Sequence, residues 1–179
     1  MLLPRIDDDL AATAQAAGCS FCDGRLDVSD YPRKARGADD LGDEYAWRRS
    51  FCCAVDGCRR RRTPPSVRFL GRKVYLGAVV LLATALQRGP SKTSVTKLAA
   101  LLGISRRTLA RWCRWWSTMF ATSRFWTSLR GRFMPVVDEA GLPASLLSRM
   151  TAADEPALIA LLRLLAPMTT QPHLDASAS

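Results

Sequence analysis

From residue 72 onward, apolar positions recur every three or four residues, whereas the chain before that point is polar and rich in turn-forming residues. Such spacing is typical of amphipathic helices. The most apolar stretch, Val74–Leu86, is broken by glycine and flanked by Arg and Lys. At about 13 residues it is too short to span a bilayer, so it predicts a buried helix. The pattern predicts helices over 72–88, 94–102 and 105–120, and shorter ones near 123–132, 143–150 and 154–165.

The N-terminal part has only a weakly amphipathic start. Residues 1–18 predict a short helix or a loose arm, and β-compatible pieces lie at Arg25–Val28 and Tyr45–Cys53. Between these pieces, Pro32–Glu44 is charged and contains glycine, which predicts a flexible loop. The predicted fold class is therefore mainly α, with a small β unit at the N-terminus.

The charge distribution adds a candidate partner. Apolar residues make up 48% of the chain, enough for a packed core, and the formal net charge is +10. No Asp or Glu occurs from Gly57 to Val137, where 17 Lys and Arg stand, and the remaining residues have a net charge of −7. A stretch this cationic repels itself unless it faces a polyanion. Nucleic acid is therefore favoured over a basic surface that serves only solubility.

Five of the six cysteines cluster in the N-terminal part. Cys19-x2-Cys22 is separated by 29 residues from Cys52-Cys53, and Cys58 follows. Two pairs around a β-rich insert are typical of a zinc ribbon, in which four thiolates hold Zn²⁺ and stabilise a unit too small to fold by its core alone. The alternatives are a redox Cys-x-x-Cys, which requires a helix after a buried strand, and a set of free thiols.

Five cysteines compete for four ligand positions. In zinc ribbons an aromatic residue often stands two residues before the first ligand of a pair, and Phe51-x-Cys53 fits this arrangement. Because side chains alternate along a strand, Cys52 would then point to the other face. The preferred metal ligands are Cys19, Cys22, Cys53 and Cys58, with Cys52 in place of Cys53 as the alternative. Four bound cysteines leave no open position for water, so a structural role is expected.

The segment TKLAALLGISRRTLARWCRWW has the residue types of a helix-turn-helix. Such a unit needs a small residue where the helices cross, a glycine four residues later for positive φ, and an aliphatic residue about six further on. Ala99, Gly103 and Leu109 meet these requirements, and Ser105 is a good N-cap for the second helix. The expected buried seam is completed by Leu98, Leu102, Ile104 and Trp112.

Several polar residues on the second helix are not needed for that seam. The N-terminal part of such a helix enters the major groove, where Arg can contact guanine. We expect base-edge contacts from Arg106, Arg107 and Arg111, and phosphate or base-edge contacts from Thr108 and Arg114; Ser105 completes this set of DNA-binding candidates. The alternative is that these side chains meet only phosphate or solvent.

The aromatic residues of this region could suggest base stacking. Their spacing of three and four instead predicts core packing, with Trp115 or Trp116 possible exceptions. The set comprises Trp112, Trp115, Trp116, Phe120, Phe125 and Trp126.

A basic connector, RRRRTPPSVRFLGRK at 59–73, links the cysteines to the helices. Pro64 and Pro65 hold part of it extended. Asp56, the nearest acid, cannot neutralise four successive arginines, so the connector is expected to follow phosphates or lie in a minor groove. A solvated linker is the alternative. The candidate DNA contacts here are Arg59, Arg60, Arg61, Arg62, Arg68, Arg72 and Lys73.

In this order, the parts resemble a bacterial transposase-like family. The likeness lies in Cys-x2-Cys, FCCAVDGCRRRRTPPSVRFLGRKVYLGAVVLL and SRRTLARWCRWW, and it covers about residues 19–135. The layout is similar to the zinc-ribbon and helix-turn-helix region of insertion-element transposases. The resemblance implies a homeodomain-like helical domain, DNA reading by the 105–114 helix, and Zn²⁺ held by Cys19, Cys22, Cys53 and Cys58.

Transposases of that type cut DNA with an acidic triad on an RNase H-like domain, and here the chain departs from them. Only about 45 residues follow Phe133, and their acids stand in a helical, leucine-rich context. Adjacent acids on a short helix are usually solvated, so we predict neither a two-metal nuclease nor any other enzymatic activity. The acids concerned are Asp138, Glu139, Asp154 and Glu155.

The predicted domains are an N-terminal arm at 1–18, a zinc ribbon at 19–62, a helix-turn-helix domain at 63–135, short C-terminal helices at 136–166 and a disordered tail at 167–179.

The expected function is sequence-specific binding of double-stranded DNA by a transposase-like accessory or remnant at mobile-element DNA. The alternatives are a transcriptional regulator, and an adaptor that docks a catalytic partner through residues 142–165. A homodimer or a catalytic protein partner is conceivable, whereas no membrane and no small-molecule substrate are expected. Three consecutive acids stand where a secretory signal would be apolar, so a cytoplasmic, nucleoid-associated protein is predicted.

Overall fold

The computed structural model describes residues 2–33, 42–70, 76–87, 100, 103–150 and 155–170. It shows a mostly helical chain with a small antiparallel sheet near the cysteine cluster. The described residues fall into two units. The first runs to Leu76 and includes Leu165–Thr170, and the second comprises Gly77–Leu164.

In its described residues the first unit has one long helix and five short strands. Helix α1, Leu2–Ala16, buries an apolar stripe that includes Ile6, Ala11 and Ala14. The helix is followed by Gly18, whose φ of 68° suits a helix C-terminus. The start of the chain is therefore a regular helix. The strands are β1 (Leu26–Val28), β2 (Tyr31–Pro32), β3 (Trp47–Arg48), β4 (Phe51–Cys53) and β5 (Arg61–Arg62), and a 3-10 turn spans Asp43–Ala46.

A three-stranded antiparallel sheet in the order β1–β4–β5 carries one of the clustered cysteines on its central strand. The register pairs Leu26 with Cys53 and Phe51 with Arg62. Because side chains alternate along β4, Phe51 and Cys53 join a small buried core with the apolar stripe of α1, whereas Cys52 faces the other side. These strands confirm the predicted β-compatible pieces, and β2 pairs separately with β3.

A buried ion pair joins α1 to the chain that follows β5. Asp7 and Arg68 are 0% and 2% exposed, and Nε of Arg68 donates to the Asp7 carboxylate at 2.7 Å. The same carboxylate accepts the N–H of Val67 at 2.7 Å and the hydroxyl of Ser66 at 2.6 Å. A buried charge is tolerated only when it is paired and hydrogen-bonded. This cluster therefore holds residues 66–68 against α1.

The second unit is built from helices in its described residues. The predicted helices over 72–88, 105–120, 123–132, 143–150 and 154–165 all have counterparts, shorter than predicted in most cases. The prediction for 94–102 falls outside the described residues apart from Ala100, which is helical. The helices are α2 (Gly77–Gln87), α3 (Arg106–Trp115), α4 (Arg124–Leu129), α5 (Ala144–Leu147) and α6 (Ala157–Leu165, whose last residue belongs to the first unit).

Tighter or wider turns extend several of these helices. A π-helical turn, Trp116–Phe120, continues α3, and a 3-10 turn, Arg130–Arg132, follows α4. Another 3-10 turn, Ala166–Thr169, follows α6 and covers the first residues of the predicted tail. The rest of that tail, 171–179, lies outside the described residues.

Aromatic side chains from α3, the turn after it and α4 form the core of the second unit. Trp112, Trp116, Phe120 and Trp126 are each at most 1% exposed. Trp116 meets Phe120 edge-on, with ring centroids 4.8 Å apart. Its indole N–H donates to the buried hydroxyl of Thr84 on α2 at 3.1 Å. The prediction that these aromatics pack as core is confirmed.

Candidate metal centre and candidate nucleic-acid interface

Four cysteine side chains converge between the end of α1 and the sheet. The Sγ atoms of Cys19, Cys22, Cys53 and Cys58 all lie within 4.8 Å of one another. The Sγ atoms of Cys19 and Cys58 are 3.7 Å apart, and those of Cys22 and Cys53 are 3.5 Å apart. Tetrahedral thiolates at about 2.3 Å from one ion would be separated by about 3.8 Å. The four cysteines are therefore positioned to hold a metal ion.

Each pair of cysteines sits in a turn that closes through backbone hydrogen bonds. In the first turn, the N–H of Cys19 donates to the carbonyl oxygen of Gly24 at 2.9 Å. In the second, the N–H of Cys53 donates to the carbonyl oxygen of Arg60, also at 2.9 Å. The two turns share this closure although one has two residues and the other four between its cysteines.

The residue after the last cysteine of each turn has a left-handed backbone. The φ angles are 55° at Asp23 and 44° at Arg59. This conformation is costly for a residue with a Cβ and persists where the surrounding structure imposes it. The two turns therefore reverse the chain in the same way, which directs both pairs of thiols toward one point.

Gly24 is required by the close packing around the sulfur atoms. A Cβ at this position would lie 2.4 Å from Cγ2 of Val55 and 3.3 Å from the Sγ atoms of Cys22 and Cys53. The first distance is a steric clash. A larger residue would therefore force the exposed Val55 side chain to move and would press against both sulfur atoms.

Cys52, the alternative ligand, lies outside the cluster. Its Sγ is 3.4 Å from the carbonyl oxygen of Arg59, on the face of β4 opposite to that of Cys53. The preference for Cys53 over Cys52 is confirmed, and alternation of side chains along the strand is the reason.

Hydrogen bonds and neighbouring sulfur atoms shift the pKa values of the cysteines in opposite directions. The backbone N–H of Phe21 donates to Cys19 and is the main cause that lowers the pKa of that thiol to about 7. At Cys22 the backbone N–H of Gly24 likewise lowers the pKa of the thiol. Its effect is outweighed by the neighbouring sulfurs, that of Cys53 first, and by burial, which raise the pKa of Cys22 to about 12. Four thiols this close lose all their protons only beside a cation, and an all-sulfur tetrahedral donor set is consistent with zinc.

The turn before α3 and the start of that helix are formed as the sequence predicts. Gly103 has a φ of 60°. The hydroxyl of Ser105 accepts the N–H of Thr108 at 3.1 Å and caps α3. Since the partner helix predicted at 94–102 lies outside the described residues apart from Ala100, the structure describes the turn and the second helix only.

Four arginines form the exposed face of α3. Leu109 and Trp112 are buried on one side of the helix. At about 100° of rotation per residue, Arg107, Arg111 and Arg114 fall on the opposite side, and Arg106 lies on the flank of the helix. Within the described part of the chain, none of the four forms an ion pair. They are Arg106, Arg107, Arg111 and Arg114.

The run 59–62 belongs to the ribbon, and its last two residues form β5. Each of the four side chains contacts a neighbour within the first unit, although the first three remain exposed. The contacts are Arg59 with Asp56 at 2.7 Å, the guanidinium of Arg60 at 3.7 Å from the ring centroid of Phe21, Arg61 with the hydroxyl of Ser29 at 3.1 Å, and Arg62 with the carbonyl oxygen of Gly18.

Arg68 has to be removed from the candidate DNA contacts. Its guanidinium is buried and pairs with Asp7, so it cannot reach a ligand outside the protein. Nothing local distinguishes Arg68 from the other basic residues of the connector, because Asp7, the acid that neutralises it, stands 61 residues earlier in the chain. Arg72 and Lys73 lie outside the described residues.

Three residues that build these sites were not predicted: Asp7, Phe21 and Gly24. Only Gly24 carried a usable signal, because a glycine two residues after a possible ligand is typical of a turn that needs close approach. Nothing near Asp7 in the sequence points to Arg68. Phe21 looked like an ordinary residue between two cysteines.

No protein-family model, no curated protein and no solved structure matches this chain. In the part of the chain that the structure describes, no helix is long and apolar enough to cross a bilayer. Function is therefore inferred from the geometry and chemistry of the two sites.

Proposed function

We propose that this protein binds double-stranded DNA through the arginine face of α3, and that Zn²⁺ held by the four clustered cysteines stabilises its N-terminal ribbon. One observation carries the proposal. A single helix presents four exposed arginines, three of them opposite a buried Leu–Trp face, and the described residues offer these arginines no carboxylate partner. Cations left unpaired in this way attract a polyanion.

The shape of α3 favours duplex DNA over other polyanions. The major groove, about 12 Å wide, admits one helix, and Arg is suited to the O6 and N7 atoms of guanine. Arg106, Arg107 and Arg111 lie in the first two turns, the part of such a helix that approaches base edges. The face contains no acid that would repel phosphates, since none occurs between Gly57 and Val137.

Zinc in this reading is structural. Four thiolates complete a tetrahedral shell, which leaves no position for a reacting water molecule. The buried core around the cysteines is small, so the ion would supply much of the folding free energy of the ribbon. Metal analysis of the purified protein should find about one zinc per chain. Folded protein that is free of metal would contradict this part of the proposal.

DNA binding is tested by selecting bound sequences from a pool of random duplexes. We expect a defined consensus with the wild type and a relaxed consensus with Arg107→Ala, at a cost of about 1–3 kcal/mol in binding free energy. Arg149→Ala is the matched control, because Arg149 is exposed but lies outside the α3 face. Failure to enrich any sequence, together with no affinity for duplex DNA at low salt, would refute the proposal.

The ribbon arginines should act differently from those of α3. Replacing both Arg60 and Arg61 by Ala should weaken binding to all duplexes alike and reduce the slope of log K against log salt by about 1–2. The Arg60/Arg61 double variant could instead lose sequence preference as Arg107→Ala does. That result would show that base contacts and phosphate contacts are not separated between α3 and the ribbon.

We further propose that the DNA is that of a mobile element, with this chain as an accessory without catalysis of its own. The support is the likeness of its motifs to transposase-like proteins. The comparisons with known proteins add no further support, because none of them matches this chain. Footprinting on the DNA around its own gene provides the test. Protection at element ends favours the accessory role, whereas protection confined to the promoter favours a transcriptional regulator.

A further inference from the structure

An aromatic ring and a guanidinium stack at the tip of the first cysteine turn. Phe21 stands between Cys19 and Cys22 and is 67% exposed, an unusual position for a large apolar side chain. The guanidinium of Arg60 lies 3.7 Å from the centroid of its ring. At this distance the two groups are in direct cation–π contact. Since most of Phe21 is exposed, the ring retains open surface beyond the arginine.

Both members of the pair are anchored to metal-binding cysteines through their backbones. The turn that contains Phe21 is closed by two backbone hydrogen bonds of 2.9 Å, from the N–H of Cys19 to the carbonyl oxygen of Gly24 and from the N–H of Asp23 to that of Cys19. The carbonyl oxygen of Arg60 accepts the N–H of Cys53 at 2.9 Å. The hydrogen bonds that shape the metal site therefore also position the ring under the guanidinium. This tie is backbone-based, so changes to the Phe21 side chain leave it intact.

Arg60 gives the pair an exposed positive charge. Arg60 and Arg61 form no ion pair among the described residues, and both are exposed. Arg61 contacts the ring of Tyr31, with its Cζ 5.8 Å from the ring centroid. Because Arg61 pairs with Cys52, it lies on the Cys52 face of the sheet, whereas Arg60 and Phe21 stack at the first cysteine turn. Aromatic faces beside arginines are the groups on which unpaired bases stack.

We propose that Phe21 and Arg60 form a stacking platform for an unpaired base of a nucleic-acid strand. This inference rests on the proposed function and extends it, because it assigns the ribbon a ligand that α3 does not recognise. The α3 face reads paired DNA, and the ribbon platform takes a base that has left the duplex, as at a frayed end or a nick. The contact is independent of sequence, because every base has a face that can stack.

The test uses the full zinc-loaded chain and a single-stranded thymidine oligonucleotide of about 12 nucleotides that carries one 2-aminopurine. Wild type should bind it and quench the 2-aminopurine fluorescence, since that fluorescence falls when the base stacks. Phe21→Ala should weaken binding about tenfold and abolish the quenching. Phe21→Trp should restore both, whereas Phe21→Leu, which is apolar but not planar, should behave like Phe21→Ala.

Val28→Ala is the matched control, because Val28 is 66% exposed on β1 of the same ribbon but outside the platform. Zinc content should equal that of wild type in every variant. Equal affinity of wild type and Phe21→Ala for the oligonucleotide overturns the inference. So does full binding by Phe21→Leu, which would indicate mere apolar contact.

A blunt duplex containing the selected consensus separates this inference from the proposed function. Phe21→Ala should bind that duplex as wild type does, and Arg107→Ala should not. Duplex binding that persists while the single strand is ignored refutes only the platform. Single-strand binding that responds to Phe21 while no duplex is bound refutes only the α3 proposal.

Discussion

The ribbon and the helical unit use arginine in opposite ways. In the first unit, Arg68 is buried against Asp7, and Arg49 bridges Asp8 and Asp30 at 2.7 Å each. On α3, four arginines stand exposed without an acid partner among the described residues. The arginine side chain is thus a structural element at Arg68 and Arg49, and an exposed cation on α3.

The distribution of acids and the size of the core explain the difference. The ribbon has a small apolar core, and acids occur throughout its sequence, so ion pairs and a thiol cluster hold it together. The second unit buries several large aromatic rings, and its ion pairs, Arg130–Glu139 and Arg163–Glu155, lie at its surface. Because its acids are confined to the region after Val137, the arginines of α3 stay available for a ligand.

Removing one metal ligand should have the largest effect on stability, and this effect should be confined to the strands around the cysteine cluster. Cys53→Ser leaves an incomplete donor set, and apparent zinc-binding free energies of about 10–16 kcal/mol contribute directly to folding in such sites. We expect loss of zinc and loss of amide protection across β1, β4 and β5, measured by metal analysis and hydrogen exchange. Cys52→Ser is the control and should keep both. A Cys53→Ser protein with a full zinc complement would contradict the assignment.

Breaking the buried ion pair should have the second-largest effect on the free energy of unfolding. Asp7→Asn leaves the buried guanidinium of Arg68 without its carboxylate, which costs about 3–5 kcal/mol in such pairs. Urea unfolding, followed through the ribbon, provides the measurement. Asp9→Asn is the matched control, because Asp9 is exposed on the same helix. A loss below 1 kcal/mol would mean that the pair contributes little.

The aromatic core can be tested through a hydrogen bond to α2. Thr84→Val removes the acceptor of the Trp116 indole N–H, and an unpaired buried donor costs about 1–3 kcal/mol. Thermal unfolding should show this loss in the second unit. Trp116→Phe leaves a cavity in the core, so the double variant should lose less stability than the sum of the two single losses. Additive losses in the double variant would argue against the hydrogen bond.

The smallest effect is expected at Glu139, where the helical unit does use an ion pair. The indole N–H of Trp126, followed by Arg130, lowers the pKa of Glu139 below its ordinary value. A carboxyl whose pKa is lower in the folded state stabilises above its unfolded value, about 4.3, and loses this contribution as pH falls through the folded value. Glu139→Gln should therefore be slightly less stable than wild type at pH 7. The two proteins should converge in acid, and a difference that persists at low pH would indicate another cause.

Features that depend on the spacing of residues within one helix, strand or turn could be predicted from the sequence. The Phe51-x-Cys53 pattern identified the correct cysteine of an adjacent pair, because alternation along a strand is a local rule. Gly103 and Ser105 marked the turn and cap of α3 for the same reason. The burial of the tryptophans followed from their spacing of three and four. The helix at 94–102 remains a prediction.

Which arginine is buried in an ion pair could be read only from the folded chain. Asp7 and Arg68 are 61 residues apart in the chain, and nothing local distinguishes Arg68 from the exposed arginines before it. The contact of Phe21 with Arg60 likewise depends on two cysteine turns that meet only after folding. Spacing along a chain determines faces and caps, because these repeat with the geometry of one helix or strand. It does not determine pairings between elements, because those depend on how the elements pack.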